Sequence, residues 1–196
     1  MTVTAIVLAA GQGSRFRAEA GNDQDKLLAE CKGLDGVVRP VIEQVLVNLP
    51  DSLVERWLVT SPDREHVIRL AQAHGCKVLP LQSAGMGESI AAAVAASASA
   101  DGWLVVLGDM PFIQSSSIER VIEVLEEDGI SVPVQAGEYG HPVAFGRALG
   151  PDLMALTGDR GGKPLFARAR VREVQVEDAG VLWDVDLPKQ LSFIVD

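Results

Sequence analysis

The sequence predicts an α/β protein in which helices cover both faces of a mostly parallel sheet, forming a three-layer α/β/α sandwich. Residues 5–8 and 103–107 are continuous apolar runs, which are typical of strands buried on both faces. Between these runs lies a stripe of apolar residues at helical spacing: Val41, Ile42, Val45, Leu46 and Leu49. Predicted strands and helices alternate along the chain, and this alternation indicates a Rossmann-like sheet.

The length and charge of the chain limit what it can do. A chain of 196 residues corresponds to about one domain, so we expect a single domain over residues 1–196. The net charge of −10 is unlike the basic field of nucleic-acid-binding proteins, so we expect no nucleic-acid partner. The apolar run near the amino terminus is too short for a signal or a span, which predicts a cytoplasmic protein without membrane contact. Cys31 and Cys76 are far apart in the sequence and are expected to be reduced thiols.

The first predicted strand leads into a glycine-rich turn. Gly11 and Gly13 let the backbone turn sharply and approach a ligand, and aligned turn amides bind phosphate oxygens. Ser14 follows, and Arg15 adds a planar cation that suits phosphate. Phe16 stands where a dinucleotide fingerprint needs its third glycine, and the Gly-Lys-Ser/Thr of a Walker A loop is absent. A plain tight turn after a buried strand is the competing interpretation.

The chain then continues through a flap, a helix and two further strands. The segment over residues 16–25 is polar, and we expect it to form a mobile flap over a ligand, followed by Lys26. A helix is predicted over residues 40–49, and strands over residues 56–60 and 77–80. Between those strands, Ser61 and Pro62 are typical of a helix start, and Gly75 is typical of a helix end.

A second glycine loop occupies residues 83–89 and precedes a small-residue helix predicted over residues 90–98. A helix amino terminus that follows glycines offers free amides and a positive dipole end to an anion. The candidate ligand-binding residues of this loop are Gly85, Met86, Gly87 and Ser89. A plain junction between a loop and a helix explains the same pattern.

Asp109 follows the apolar run of residues 103–107, directly after Gly108. A carboxylate at the carboxyl end of a central strand lies where open α/β sheets bind ligands. Such a hard oxygen donor suits Mg²⁺, which proteins hold with one or two carboxylates plus substrate phosphates. A turn-forming aspartate after a strand is the alternative interpretation.

The remaining elements follow in order. We expect a helix capped by Ser115 or Ser116, a strand over residues 130–134 and a helix over residues 149–156. The sequence Gly-His-Pro at residues 140–142 leads into a short strand. Asp184 and Asp186 alternate with apolar residues, so both are expected on one face of an extended segment. A last helix is predicted over residues 188–195.

Three of these motifs together resemble a known family. Leu-Ala-Ala-Gly-x-Gly-x-Arg over residues 8–15 followed by Lys-Leu-Leu over residues 26–28 resembles the opening of nucleotidyltransferases that attach a nucleotide to a phosphorylated acceptor. Gly-Met-Gly-x-Ser over residues 85–89 and Gly-Asp-Met-Pro over residues 108–111 are similar to motifs of the same family. Because two alanines follow Leu8, the chain most resembles the molybdenum cofactor cytidylyltransferases (MocA-like), within the MobA-like NTP transferase family.

The resemblance implies a fold of the nucleotide-diphospho-sugar transferase type and an activity. CMP would pass from CTP to the terminal phosphate of a molybdopterin-type acceptor, with Mg²⁺ as cofactor and release of pyrophosphate. A molybdenum hydroxylase or its chaperone is the implied protein partner. The acceptor phosphate is already anionic, so such a reaction requires alignment and charge neutralisation rather than a protein nucleophile.

The resemblance also implies roles for individual residues. Arg15, Lys26 and Asp109 would be catalytic, and Asp109 with Asp186 would hold the metal. Gly140, His141 and Pro142 would bind the acceptor. The nucleotide would be bound by residues of both glycine loops: Leu8, Ala9, Ala10, Gly11, Gly13, Ser14, Gly85, Met86, Gly87 and Ser89.

Three other functions stay open on the sequence. The first is a guanylyltransferase or another NTP transferase that acts on a different acceptor, such as a sugar or alcohol phosphate. The second is a non-catalytic carrier of finished cofactor, against which the intact Arg15, Lys26 and Asp109 argue. The third is an NAD(P)-linked oxidoreductase, against which Phe16 argues.

Overall fold

The computed structural model of the protein describes residues 1–21, 23–82 and 85–194. Six α-helices are described in these ranges: α1 (Ser14–Ala20), α2 (Val41–Val47), α3 (Glu65–Ala73), α4 (Met86–Ala96), α5 (Ser115–Glu123) and α6 (Gly150–Met154). The strands are β1 (Val3–Leu8), β2 (Glu30–Lys32), β3 (Val38–Pro40), β4 (Glu55–Thr60), β5 (Lys77–Pro80), β6 (Gly102–Leu107), β7 (Gly129–Gln135), β8 (Glu138–Tyr139), β9 (Val143–Gly146) and β10 (Arg170–Gln175). Short 3₁₀ turns cover Arg147–Leu149, Lys163–Ala167, Ala179–Leu182 and Pro188–Leu191.

An eight-stranded sheet forms the middle layer. Its spatial order is β10-β7-β9-β6-β1-β4-β5, and β8 pairs with β7. Strand β1 is parallel to both β4 and β6, and β5 is parallel to β4. Strand β9 is antiparallel to β6 and β7, between which it lies. Strands β2 and β3 form a separate antiparallel hairpin. The predicted mostly parallel α/β sheet is therefore confirmed.

The two faces of the sheet bury two separate cores. In β1, Val3, Ala5 and Val7 pack into a core with apolar residues of α2, α3 and α5, whereas Ile6 packs into a second core with residues of α4 and α6. The alternation follows from the strand geometry, in which successive side chains point to opposite faces. Since both faces of β1 are covered, its sequence is a continuous apolar run. The three-layer arrangement matches the prediction.

Several predicted element boundaries were wrong. The expected flap over residues 16–25 begins instead as α1, with Phe16 in the core at 2% exposure; Asn22 lies outside the described residues. Phe16 is the one buried residue of α1, so the sequence shows no apolar periodicity that would predict a helix there. Helix α4 begins at Met86 rather than at residue 90, so Gly87 and Ser89 lie in its first turn.

Two predicted helix starts and the predicted final helix were also wrong, whereas Gly75, with φ of +74°, follows the end of α3 as predicted. Helix α3 begins at Glu65, because Ser61 starts a turn in which its carbonyl accepts from the Arg64 amide at 3.2 Å. Neither Ser115 nor Ser116 caps α5, which follows Gln114 without a side-chain cap. The predicted final helix is only a 3₁₀ turn over Pro188–Leu191, and Val195 lies outside the described residues. For α3 and α5, contacts with the rest of the chain determine where the helix begins, and they override the local capping signals.

No helix within the described ranges is long and apolar enough to cross a membrane.

Candidate active site

The carboxyl ends of β1 and β6 bring the first glycine loop next to Asp109. The two strands pair in parallel with Leu8 opposite Leu107, so the segments that follow them leave the same edge of the sheet. The Gly108 amide donates to the Leu8 carbonyl at 2.9 Å. A Cβ atom on Gly108 would lie 2.8 Å from that same oxygen, so the close approach requires glycine. The first glycine loop and Asp109, which the sequence predicts as parts of one site, are therefore neighbours.

A cavity of about 460 Å³ opens at this edge. The first glycine loop, the second glycine loop and the end of β6 form its walls. Its lining residues are Leu8, Ala9, Ala10, Gly11, Gln12, Lys26, Leu27, Gly85, Met86, Ser89, Leu107, Asp109 and Asp159. Nine of the residues predicted from the sequence line this one cavity: Leu8, Ala9, Ala10, Gly11, Lys26, Gly85, Met86, Ser89 and Asp109.

Lys26 is the electrostatic centre of the site. Its Nζ donates to Asp109 Oδ2 at 2.6 Å and to Asp186 Oδ1 at 3.3 Å, and its side chain is only 10% exposed. Arg15, which is exposed, pairs with the other carboxylate oxygen of Asp186. The four charged residues predicted to be catalytic or metal-binding therefore form one connected ion-pair network.

The pKa shifts reflect how charge is concentrated there. Burial alone would lower the pKa of Lys26, but the charge of Asp109, its hydrogen bond and the charge of Asp186 together raise that pKa. Burial and then the charges of Asp186 and Asp109 raise the pKa of Asp184. Asp184 is therefore close to the same negative cluster, as the predicted alternation of residues 184 and 186 requires, while Val185 between them is fully buried. These shifts follow from desolvation and like-charge repulsion.

Among the described residues, the backbone amides of the first glycine loop are unpaired, whereas its Ala9 carbonyl is held by side chains of neighbouring elements. Within the described part of the chain, the amides of Ala10, Gly11, Gln12 and Gly13 have no hydrogen-bond acceptor. The Ala9 carbonyl accepts from the buried Thr60 hydroxyl at 3.0 Å and from Arg64 Nη1 at 3.0 Å. The unpaired amides are suited to bind anionic oxygens.

The second glycine loop packs against the loop that follows α6. The Gly87 amide donates to the Gly158 carbonyl at 2.7 Å, and the Gly158 amide donates to Glu88 Oε1 at 3.0 Å. A Cβ on Gly85 would lie 2.6 Å from Asp159 Oδ1. Ser83 and Ala84, the first residues of the predicted loop, lie outside the described residues.

Other predicted residues stand beside the cavity or apart from it. Gly13, with φ of +60°, lies against the Lys26 side chain, and Ser14 starts α1. Gly87 faces the Thr157 carbonyl rather than the cavity. The acceptor-binding roles predicted for Gly140, His141 and Pro142 remain predictions, because these residues do not line this cavity.

His141 is held by the fold rather than free to move. Its amide donates to the Val181 carbonyl at 2.9 Å, and its imidazole Nδ1 is buried with no hydrogen-bond partner among the described residues. Burial lowers its pKa, although the charge of Asp109 and a backbone hydrogen bond to Val105 oppose that effect. A buried imidazole near Asp109 is consistent with the predicted binding role.

Sequence reasoning missed several residues of the site. Gln12, Leu27 and Leu107 line the cavity, and Arg64 anchors the first glycine loop from behind. The three lining residues adjoin residues of the predicted motifs, so proximity could have indicated them. Asp159 also lines the cavity and lies in the glycine-rich loop over residues 158–163. Arg64 carries no local signal, because its partners in the first glycine loop are more than fifty residues away.

Two carboxylates at the edge of the cavity could hold a divalent cation. Asp109 and Asp186 direct carboxylate oxygens at the same Nζ atom and are each about one-quarter exposed, with side-chain values of 23% and 27%. Within residues 1–21, 23–82 and 85–194, no group of three or more His, Cys, Asp or Glu side chains could hold a metal ion. Two hard oxygen donors suit Mg²⁺ when phosphates and water complete the coordination. The residues present therefore fit such an ion.

Sequence comparison relates the chain to nucleotide-transferring proteins. The MobA-like NTP transferase domain matches residues 5–174. The Bifunctional protein GlmU of Maricaulis maris is 34% identical over 152 residues, which is 74% of this chain and 31% of that protein. The Bifunctional protein GlmU of Acholeplasma laidlawii is 28% identical over 147 residues, covering 74% of this chain and 30% of that protein. The chain thus spans about a third of the length of these curated relatives.

Solved structures share the fold over nearly the whole chain. A nucleotidyl transferase from Methanothermobacter has a TM-score of 0.80 and 25% identity, covering 96% of this chain and 94% of that chain. Rv0371c from Mycobacterium tuberculosis has a TM-score of 0.80 and 26% identity, covering 97% and 95%. A manganese complex of Rv0371c has a TM-score of 0.73 and 24% identity, covering 97% and 96%. Since the domain match extends over most of its length, the chain belongs to the MobA-like NTP transferase family and is a nucleotidyltransferase of that type.

Proposed function

We propose that this nucleotidyltransferase moves CMP from CTP to the terminal phosphate of molybdenum cofactor, a molybdopterin-type acceptor, in a Mg²⁺-dependent reaction. The observation that carries the proposal is the position of Lys26. Its ammonium bridges Asp109 and Asp186 at the edge of a cavity walled by two glycine loops. An ammonium and two carboxylates thus lie beside amides suited to a triphosphate, and this supports the proposal.

The transfer step makes one bond and breaks one bond. An oxygen of the acceptor phosphate bonds to the α-phosphorus of CTP, and the bond from that phosphorus to the bridging oxygen of the β-phosphate breaks. Pyrophosphate leaves with the electron pair. The nucleophile is already an anion, so no proton must be removed from it and the transfer requires no catalytic base.

The chain's own residues would orient and neutralise the phosphates. The amides of the first glycine loop would hold the triphosphate, with Arg15 at the solvent side, where its side chain is 77% exposed. Lys26 would move from the carboxylates to the α-phosphate and offset its developing charge. Asp109 and Asp186 would hold Mg²⁺, which supplies Lewis-acid neutralisation of the phosphate oxygens when bound. The manganese complex of the mycobacterial relative supports a divalent cation in this family.

The choice of CTP rests on the first glycine loop. Two alanines, Ala9 and Ala10, line the cavity where the guanylyl branch of the family typically has glycines. The choice of acceptor rests on the motif resemblance together with family membership. The single-domain organisation over residues 1–196, the cytoplasmic location and a hydroxylase or chaperone partner are part of the same proposal.

A panel of nucleotides and acceptors tests the proposal. Pyrophosphate release would be measured with CTP, GTP, UTP and ATP, each with Mg²⁺ and either molybdopterin or a sugar phosphate. We expect release only with CTP and molybdopterin. The variant Asp109→Asn should lose about a hundredfold or more of that rate, whereas Glu119→Gln, an equivalent change at an exposed position of α5, should retain it. Preference for GTP would move the assignment to the guanylyl branch, and no release in any combination would refute a transferase of this kind.

A further inference from the structure

The first glycine loop separates two cavities. Ala10 and Gln12 line the cavity described above and also a second cavity of about 960 Å³ on the other side of the loop. Arg64 lines only the second cavity. The loop is therefore a thin wall, with the proposed nucleotide site on one side and a guanidinium on the other.

Arg64 donates hydrogen bonds to two backbone carbonyl oxygens of the first glycine loop. Its Nη1 donates to the Ala9 carbonyl at 3.0 Å, and its Nη2 donates to the Gly11 carbonyl at 2.6 Å. The side chain is only 13% exposed, so water competes weakly for these contacts. Hydrogen bonds from a charged donor are stronger than neutral ones. The planar fork of arginine can span two carbonyls that are two residues apart.

These two contacts determine where the loop amides point. In a planar trans peptide, the carbonyl of one residue and the amide of the next point in opposite directions. Carbonyls of Ala9 and Gly11 that face Arg64 therefore turn the amides of Ala10 and Gln12 away from it. Both residues line the proposed nucleotide cavity, and neither amide has an acceptor within the described part of the chain.

The same guanidinium reaches the segment that carries Lys26. Its Nε lies 3.7 Å from Asp25 Oδ2, and Asp25 Oδ1 accepts from the Leu27 amide at 3.0 Å. The Asp25 carboxylate thus holds the turn in which Lys26 stands and is itself held by Arg64. One side chain connects the glycine loop to the proposed catalytic lysine.

We propose that Arg64 is a positioning residue for nucleotide transfer: it directs the amides of the first glycine loop into the nucleotide site and, through Asp25, sets the position of Lys26. The inference rests on the proposed function for the identity of the ligand, whereas the loop-fixing role is a property of the protein alone. Arg64 itself touches no reacting atom.

The chain offers a matched control for removing such an arginine. Arg56 donates to the Pro50 carbonyl at 3.2 Å and pairs with Asp51 at 3.3 Å, with 22% of its side chain exposed. It has the same kinds of partner as Arg64 but lines neither of the two cavities. If Arg64→Ala loses affinity for CTP and Arg56→Ala does not, the loss is therefore due to the contacts of Arg64 with the first glycine loop.

The experiment compares wild type, R64A, R64K and R56A by two readouts. Calorimetry measures binding of CTP with Mg²⁺, and NMR backbone order parameters measure how well residues 9–13 are ordered. We expect R64A to bind CTP about tenfold or more weakly, since two hydrogen bonds to a charged group are lost. R64K should fall between R64A and wild type because an ammonium cannot span both carbonyls. The order parameters of residues 9–13 should fall in R64A, because the loop carbonyls lose their anchor, and stay unchanged in R56A.

The link to Lys26 is tested by Asp25→Asn. We expect its turnover to fall while its affinity for CTP stays near that of wild type, because the loop contacts of Arg64 are intact. Unchanged turnover in D25N would refute the part of the inference that concerns Lys26.

The outcomes separate this inference from the proposed function. Wild-type protein that binds no nucleoside triphosphate would refute the proposed function. The order parameters would then decide the role of Arg64 alone, with lower values over residues 9–13 in R64A supporting it. Wild-type order parameters and wild-type CTP affinity in R64A would overturn the inference. If circular dichroism shows that R64A is unfolded, R64K decides in its place, and wild-type affinity and order parameters in R64K would overturn it.

Discussion

At the scale of single residues, the site depends on one ammonium group shared between two carboxylates. Lys26 is nearly buried, and its Nζ is 2.6 Å from Asp109 and 3.3 Å from Asp186. Exposed ion pairs contribute little to stability, but removing one partner of a buried group leaves a charge without compensation. Lys26 thus stands where a divalent cation would share the same oxygens.

The variant Lys26→Met tests this overlap. Without the ammonium, Asp109 and Asp186 face each other uncompensated, so we expect Mn²⁺ to bind the nucleotide-free protein about tenfold more tightly than it binds wild type. Turnover should fall by about a hundredfold because the α-phosphate loses its cation. Calorimetry with Mn²⁺ and a pyrophosphate assay measure the two effects. Lys32→Met, at an exposed position of β2, is the control and should change neither. Weaker Mn²⁺ binding in K26M would contradict the overlap.

A second residue-scale prediction concerns Cys31 in β2. Its side chain is 3% exposed, and burial raises the pKa of the thiol to about 11 from the ordinary value of 9.0. Between those two values the unfolded chain ionises this thiol and the folded chain does not. The free energy of unfolding should therefore fall with rising pH across this window, by about 2–3 kcal/mol from this group.

Urea unfolding of wild type and Cys31→Ala, below pH 9 and near pH 11, measures this effect. The drop in stability should be smaller in the variant by the contribution of Cys31. The other titratable groups are the same in both proteins, so their contributions cancel in the comparison. An equal drop in the two proteins would show that the Cys31 thiol ionises normally in the folded state.

At the scale of elements, the second glycine loop depends on close packing between the start of α4 and the chain after α6. A Cβ on Gly87 would lie 2.7 Å from the backbone carbonyl of Thr157 and 2.9 Å from that of Gly158. Backbone atoms cannot move aside as a flexible side chain can. The glycine is thus required for contact with another element, in addition to any role in binding an anion.

The variant Gly87→Ala should separate these elements. We expect a loss of about 1–3 kcal/mol in the free energy of unfolding, measured by urea denaturation, together with weaker CTP binding because Met86 and Ser89 line the cavity. Gly129→Ala is the control: its nearest neighbours would lie at 3.4 and 3.5 Å, which is ordinary contact. A G87A protein as stable as G129A would show that the two loops do not depend on each other.

The positions of helices and strands could be predicted where buried apolar residues recur regularly along the chain. They could not be predicted where a single long-range contact determines the boundary of an element. The strands β1 and β6 and the helix α2 carry unbroken or periodic apolar runs, and their predicted positions match. The predicted start of α3 was wrong because Ser61 and Pro62 belong to a turn, and this turn brings Arg64 next to the first glycine loop. A cap signal is local, whereas the partner that overrides it is more than fifty residues away.

At the scale of the whole molecule, the carboxyl-terminal segment completes the site. The Val185 amide donates to the Asp109 carbonyl at 2.9 Å, which joins the two acidic segments. Phe193 stacks on Phe112 with ring centroids 4.7 Å apart and meets Trp183 edge-on at 5.2 Å. This aromatic cluster holds the segment that carries Asp186 against the chain that follows Asp109.

The variant Phe193→Ala should loosen that segment. We expect the free energy of unfolding to fall by about 2 kcal/mol or more, since a packed aromatic ring is lost, and turnover to fall because Asp186 is less well held. Unfolding midpoints and pyrophosphate release measure the two losses. Ile194→Ala, next in sequence but 68% exposed, should leave both unchanged. A stability loss without any change in turnover would indicate that Asp186 is positioned by its ion pairs alone.

The sequence by itself determined the three-layer α/β fold, the two glycine loops and the identity of the charged residues, because strand burial and glycine turns are encoded within a few neighbouring positions. Only the tertiary structure decided that Lys26 lies between Asp109 and Asp186, that Asp159 joins the cavity and that Arg64 supports the first loop. These contacts join residues from distant parts of the chain. Their geometry depends on the order in which strands pair across the sheet, which no local pattern specifies.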